Sequence, residues 1–255
     1  MDVHNSAAKG FAAAAETYAQ GRPDYPVEAV TWLQEGLGLG PGKTVLEVGA
    51  GTGKFIPALR QSGARLLALE PVDAMRQHLA TAHGDVEVLA GTAASIPLPD
   101  GEVDAVVCAQ AFHWFATEAA LQEFRRVLAP GGMLGLIWNV RDESVPWVAA
   151  LSAITNPLEG DTPRYYSGAW RTVFPADGFE FVEEQAVPYT HRGAAEDVIL
   201  RRTLSVSYVA SQPEGVRQEV VAEINRLISR TPELAGRAEI AFPYETRMFS
   251  YRKIR

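Results

Sequence analysis

The residues best suited to hold a ligand form one run, Glu47-Val48-Gly49-Ala50-Gly51-Thr52-Gly53. Glycine is required where a chain turns sharply from strand to helix and where a ligand must approach backbone N–H groups with no Cβ in the way. Three alternating glycines serve both needs, with Ala50 and Thr52 as the small residues between them. Glu70 lies nineteen residues past Gly51, at the end of the next strand candidate, where a carboxylate can accept hydrogen bonds from two ribose hydroxyls. That spacing suits an adenosine-containing cofactor. The dinucleotide fingerprint would place its third glycine at position 54, which is Lys54, and Glu47 would repel a pyrophosphate. A cofactor with a cationic amino-acid end fits Glu47 better than a nicotinamide dinucleotide, which leaves an NAD-type oxidoreductase as the less favoured enzyme reading.

These residues need a scaffold, and the order of elements supplies one. Thr44-Val48, Arg65-Leu69, Val86-Leu89, Val103-Cys108 and Met133-Trp138 read as short strands, several apolar almost throughout, as parallel strands covered on both faces are. Between them Phe55–Gln61, Asp73–Ala82 and Thr117–Leu128 have helical periodicity. In the last, Ala120, Leu121, Phe124, Val127 and Leu128 form one stripe, and Pro130-Gly131-Gly132 ends it. Such alternation predicts an α/β fold with a doubly wound, mainly parallel sheet. Helical segments are expected at Phe11–Tyr18 and after Pro26, where Val30, Leu33 and Leu37 share a face. Residues 141–176 carry aromatics among turn residues. Strand candidates at Phe179–Tyr189 and Ala238–Lys253 flank two helices at Gly193–Ala210 and Glu214–Ser229. The expected organisation is a single domain over 1–255: cover helices in 1–40, a cofactor-binding core in 41–140, and sheet completion with substrate-side insertions in 141–255.

Composition narrows the partners. The 255 residues are 47% hydrophobic, with 23 basic and 31 acidic side chains, for a net charge of −8. That balance disfavours nucleic acid and anionic lipid surfaces. The acidic excess lies before residue 140, and many arginines lie after it. The single cysteine, Cys108, sits in an apolar run and reads as a buried hydrophobe. No stretch reaches the ~18 apolar residues of a membrane span, and no signal-peptide pattern opens the chain, so a cytoplasmic protein with a small-molecule substrate is expected. No cluster with metal-ligand spacing stands out.

The E-x-G-x-G-x-G run followed by an acid at the end of the second strand resembles the class I S-adenosylmethionine-dependent methyltransferases. The resemblance covers about residues 44–138. It implies S-adenosyl-L-methionine as cofactor, S-adenosyl-L-homocysteine as product, and a Rossmann-like sheet of seven strands, the last antiparallel, with helical cap insertions. It also implies that Pro71 and Met75 pack near the adenine, that Thr92 and Ala93 meet its edge, although Thr92 stands where an aspartate is common, and that Gln110 and Ala111 follow the fourth strand beside the cofactor. Ligands of open α/β sheets lie beyond the carboxyl ends of the strands, which puts the loop from Gln110 to Phe115 at the reacting centre. His113 is the side chain there able to exchange a proton near neutral pH, as base or orienting group.

A narrower group is also similar, the small-molecule methyltransferases of the trans-aconitate-methyltransferase type, through Tyr18 to Pro26 and the Gln-Ala-Phe-His-Trp-Phe run at 110–115. That likeness implies Tyr18 and Arg22 at the carboxylate of the cofactor's methionine moiety. An acceptor pocket is expected from Trp114, Trp138, Asn139, Tyr165, Tyr166, Trp170 and Arg171, with apolar walls and a few polar groups. Arg201 and Arg202 are further candidates for an acidic substrate. The reading is methyl transfer to a small organic acceptor, at oxygen, with a carboxylate or a natural product as the candidate acceptors. The alternative outside catalysis is a cofactor-binding regulatory module that transfers no methyl group.

Overall fold

A computed structural model describes residues 22–254. Tyr18 and the expected helix at 11–18 lie outside the described residues. Seven strands form one sheet in the order β3-β2-β1-β4-β5-β7-β6. They are β1 (Thr44–Val48), β2 (Arg65–Leu69), β3 (Glu87–Leu89), β4 (Val103–Ala109), β5 (Leu128–Arg141), β6 (Phe179–Gly193) and β7 (Ile240–Lys253). The first five run parallel, and β7 is antiparallel to both β5 and β6. The order reverses between β1 and β4, the switch point where a crevice opens beyond the carboxyl ends. This is the doubly wound, mainly parallel sheet with an antiparallel last strand that the motif order implies.

Helices cover both faces because the strands are apolar on both. Before the sheet comes α1 (Val27–Thr31), which widens into a π-helical turn over Trp32–Gly36. With α2 (Ile56–Gln61) and α3 (Asp73–Ala82) it packs Trp32, Leu33, Phe55, Ile56, Leu59 and Leu79 on one face. The opposite face is covered by α4 (Glu118–Val127), whose Ala120, Leu121, Phe124 and Val127 are buried, together with Trp170. Thr117 caps α4 by accepting the Ala120 N–H at 3.3 Å.

Three differences from the sequence reading bear on the site. Strand β5 begins at Leu128, not at Met133, because Leu128 pairs with Val103 ahead of a bulge between Val103 and Ala105. A helix, α5 (Pro146–Thr155), lies in the region read as turns. Its buried Trp147, Val148, Leu151 and Thr155 have helical spacing, but Ala149, Ala150 and Ile154 make the other face apolar too, which hides the period. The expected helix at 193–210 is broken into a π-helical stretch Glu196–Arg201, α6 (Arg202–Leu204) and α7 (Ser207–Ala210), followed by α8 (Glu214–Arg230). Trp147, Leu151, Val198, Ile199, Tyr208, Ile224 and Phe242 form a third apolar cluster, which joins α5 and this broken segment into a cap.

Candidate active site

The glycine turn follows β1 directly. Gly49, Gly51 and Gly53 all have positive φ, at 73°, 59° and 85°, a region L side chains avoid. A Cβ on Gly49 would lie 2.8 Å from Ala111 Cβ, and one on Gly53 would lie 2.6 Å from the His83 ring. Gly49 and Ala50 donate to Leu69 O at 2.9 and 3.2 Å, tying the turn to the end of β2. Glu70 completes the tie: Oε2 accepts the Gly51 N–H at 2.9 Å and Oε1 the Val72 N–H at 2.9 Å. Burial raises its pKa, and these backbone donors oppose the rise. Each carboxylate oxygen retains a second lone pair with which to accept a ribose hydroxyl. Met75 is buried on α3, its sulfur 3.9 Å from where a Gly51 side chain would begin. Pro71 is half-buried, Thr92 and Ser95 pair by backbone bonds of 3.2 and 3.0 Å, and Ala93 turns its methyl into the core.

Two buried polar atoms in the turn have no hydrogen-bond partner, Glu47 Oε2 and Thr52 Oγ1. Burial, and then the neighbouring Glu70 carboxylate, push the Glu47 pKa up to about 8. A buried carboxylate of this kind is stabilised by a cation brought to it. Glu47 opens into a cavity of about 400 Å³ lined also by Arg22, Tyr25, Ala50, Lys54 and Gln110. The ammonium and carboxylate of a methionine moiety match Glu47 and Arg22 in sign, and the glycine turn leaves backbone room beside them. The residues present therefore fit S-adenosyl-L-methionine.

The chain entering α1 closes this cavity. Asp24 pairs with Lys54 at 2.6 Å, its carbonyl accepts Asn139 Nδ2 at 2.9 Å, Tyr25 meets Phe55 edge-on at 4.5 Å, and Arg22 donates to Ser205 O at 3.4 Å. Asn139 is held on both sides, since its Oδ1 also accepts Thr246 Oγ1 at 2.6 Å.

After β4 the chain turns at Gln110, the one non-glycine described residue with positive φ, 57°. Its N–H donates to Ile137 O at 2.8 Å and its Nε2 to Asn139 O at 3.3 Å, which fix the strained backbone. His113 follows in a 3₁₀ turn, Phe112–Trp114. Trp138 Nε1 lies 3.1 Å from His113 Nδ1. An indole N–H only donates, so Nδ1 is the acceptor and the neutral ring carries its proton on Nε2. Burial, then Arg164 and Arg22, push the His113 pKa down to about 3. His113 is thus a neutral hydrogen-bond donor at physiological pH.

A cleft of about 700 Å³ opens beside His113. Of the expected acceptor residues, Trp114, Trp138, Asn139, Tyr165 and Tyr166 line it. Trp170 and Arg171 do not. Trp170 is buried in the core, stacked on Tyr165 at 5.9 Å and packed on Trp138 at 4.7 Å, and Arg171 lies outside it, over the Trp170 ring at 4.6 Å and 3.7 Å from Glu184. They back the wall rather than form it. The candidates Arg201 and Arg202 separate. Arg201 is exposed and pairs with Asp197 at 2.9 Å, whereas Arg202 is buried and lines both cavities. Arg141 and Arg164 were not singled out by their sequence context. Arg141 had one signal, its place at the carboxyl end of β5; Arg164 had none.

Residues 46–136 match the methyltransferase domain family. A methyltransferase-like protein of Schizosaccharomyces pombe is 36% identical over 248 residues, 96% of each chain. A solved structure from Anaeromyxobacter dehalogenans, described as a candidate type II methyltransferase, superposes with a TM-score of 0.65 at 24% identity over 91% of this chain and 96% of that one. Over a shorter stretch, 38% of this chain and 40% of the relative, the malonyl-[acyl-carrier protein] O-methyltransferase of Serratia marcescens is 36% identical. The fold and the glycine turn define a class I methyltransferase. The chain belongs to the methyltransferase domain family and is an enzyme that uses S-adenosyl-L-methionine as methyl donor.

Proposed function

We propose that the enzyme methylates an oxygen of a small organic acid, a carboxylate. The observation that carries this reading is the lining of the cleft beside His113, where, among the described residues, Arg22, Arg141, Arg164 and Arg202 are present and no Asp or Glu is. Guanidinium forks match carboxylates in charge and geometry. When bound, S-adenosyl-L-methionine supplies a sulfonium methyl group, which the acceptor oxygen takes as the carbon–sulfur bond breaks and its electron pair stays on sulfur.

A carboxylate is ionised already, so no base is needed, and His113 is not set up as one. Its Nε2–H orients the acceptor by donating a hydrogen bond, with the ring held by the Trp138 donor. Glu47 takes the cofactor ammonium and Arg22 its carboxylate, while Glu70 holds the glycine turn and meets the ribose. Trp114, Trp138, Tyr165 and Tyr166 exclude water, so that positioning supplies most of the rate. Two likenesses point the same way: the Serratia relative is named for O-methylation of a malonyl group, and Tyr18 to Pro26 with Gln110 to Phe115 resemble trans-aconitate methyltransferases.

The test incubates the full chain with methyl-labelled cofactor and a panel of small acids, phenols, amines and thiols. The expected product is an acid heavier by one methyl whose label is released by mild alkali, as from an ester. Label retained on nitrogen or sulfur, with none on acids, overturns the reading.

A further inference from the structure

Glu70 holds the middle of the glycine turn, and a second side chain from outside the turn reaches its far end. Gly53 is buried, and a Cβ there would lie 2.6 Å from Cδ2 and 2.9 Å from Nε2 of His83. The Nε2 edge of the ring therefore lies against the Gly53 backbone, with which His83 makes a hydrogen bond. The Gly53 N–H is already given to Ala50 O at 2.9 Å, so the ring's partner is the Gly53 carbonyl. That carbonyl also accepts the Ile56 N–H at 3.1 Å, at the start of α2.

His83 is aimed from the end of α3. Its N–H donates to Leu79 O at 2.8 Å and its carbonyl accepts the Val86 N–H at 3.0 Å, which together fix its backbone. The other edge of the ring meets Arg60 in the last turn of α2, where Nη2 lies 3.5 Å from Nδ1. Asp85, two residues past His83, clamps Arg60 through Nε to Oδ2 at 2.9 Å and Nη2 to Oδ1 at 2.7 Å. A guanidinium only donates, so Nδ1 accepts and the ring proton sits on Nε2, facing Gly53. Burial, and then Arg60, lower the His83 pKa; Asp85 and the Gly53 bond oppose this, and His78 adds to it. A protonated ring would turn a second N–H against the guanidinium, so the neutral ring is the form that fits.

The peptide after Gly53 leads to Lys54, which lines the cofactor cavity and pairs at 2.6 Å with Asp24 of the chain that closes it. Holding the Gly53 carbonyl fixes both the turn and the residue that fastens its cover. His83 itself lines neither cavity.

We propose that His83 is a positioning residue of the cofactor site: its Nε2–H holds the Gly53 carbonyl, as Glu70 holds the Gly51 N–H, and Arg60 sets the tautomer. The two clamps are complementary, an acceptor at the middle of the turn and a donor at its end. Loss of the donor costs cofactor affinity.

The test titrates the full chain calorimetrically with S-adenosyl-L-homocysteine. His83→Phe keeps a ring of similar size without a donor and should weaken binding about tenfold, the loss of one hydrogen bond that fixes the turn. His83→Gln, whose amide N–H reaches about as far as Nε2–H, should bring affinity back to within about threefold of wild type. Melting temperatures separate this role from a purely structural one, which would lower stability in both variants and leave their affinities alike. Nitrogen NMR of the wild-type histidine rings needs no variant to fold, and should show His83 with Nε2 protonated and Nδ1 bare at neutral pH. Affinity of His83→Phe within about twofold of wild type, equal losses in His83→Phe and His83→Gln, or a proton on Nδ1 overturns the proposal.

Discussion

The two halves of the site are built by opposite routes. The cofactor half has Glu47 and Glu70 around a glycine turn, contributed by residues 47–75 and held by bonds such as Gly51 N to Glu70 Oε2 at 2.9 Å. The acceptor half has arginines drawn from positions 22, 141, 164 and 202 and joined through the third apolar cluster. Acidic groups suit a cofactor with a sulfonium and an ammonium, and basic groups suit an anionic acceptor. The two meet at Gln110, Arg22 and Arg202, which line both cavities.

The contrast breaks most readily at Glu70. Glu70→Ala removes the acceptor for two backbone N–H groups and frees the glycine turn. Binding of S-adenosyl-L-homocysteine by calorimetry should weaken by about 100-fold, roughly 3 kcal/mol for two charge-assisted hydrogen bonds. A change under threefold would show that the turn holds itself.

His113→Phe should act on the other half. Cofactor binding stays within about twofold, while kcat/KM for the acceptor falls on the order of 30-fold, as expected for loss of one orienting donor. With its pKa pushed down to about 3, His113 stays neutral across the working range, so at saturating cofactor the wild-type rate shows no ionisation between pH 6 and 7. An acid limb there that vanishes in His113→Phe would restore His113 as a base.

Glu47 offers a sign-specific test. Its pKa, pushed up to about 8, lies above that of an ordinary carboxyl, so without cofactor the folded protein holds a proton that the unfolded chain releases near pH 4.5. This group's contribution to stability is therefore present at acid pH and is lost as pH rises through the window up to about 8. Cofactor affinity moves the other way, because the ammonium needs the carboxylate. Affinity for S-adenosyl-L-homocysteine should rise from pH 6 to 8 by at most tenfold per unit, with a proton released on binding. Glu47→Gln should flatten that dependence and weaken binding about tenfold at pH 8. A pH-independent wild type would place the ammonium elsewhere.

The smallest effect is expected outside both halves. Arg171→Ala, which removes an exposed pair with Glu184, should change acceptor KM and melting temperature by less than about twofold and 1 °C. A large loss of acceptor affinity would return Arg171 to the pocket.

The same division separates what could be read from residues and what could not. Thr44-Val48, the alternating glycines and Glu70 lie along one strand-turn-helix-strand unit, with Met75 on the helix that follows it, and local rules alone place them together, because a parallel β-α-β connection has one allowed hand and its turn residues are dictated by φ. His113 was legible by the same rule, as a residue beyond a parallel strand's carboxyl end. Its state was not, since the neutral Nε2–H form is set by burial, by Arg164 and Arg22, and by a tryptophan 25 positions away. Nor could the sequence separate Arg201 from Arg202 or Trp170 from Trp138. Neighbours of like chemistry differ only in which way the backbone faces them, and a π-helical turn or a stacked aromatic layer decides that through packing with elements far along the chain. The sequence by itself determined the sheet, the cofactor and the two carboxylates, Glu47 and Glu70, at its glycine turn. Tertiary structure alone decided that four distant arginines share one cleft, because burial against a common cap brings together residues that no local spacing relates.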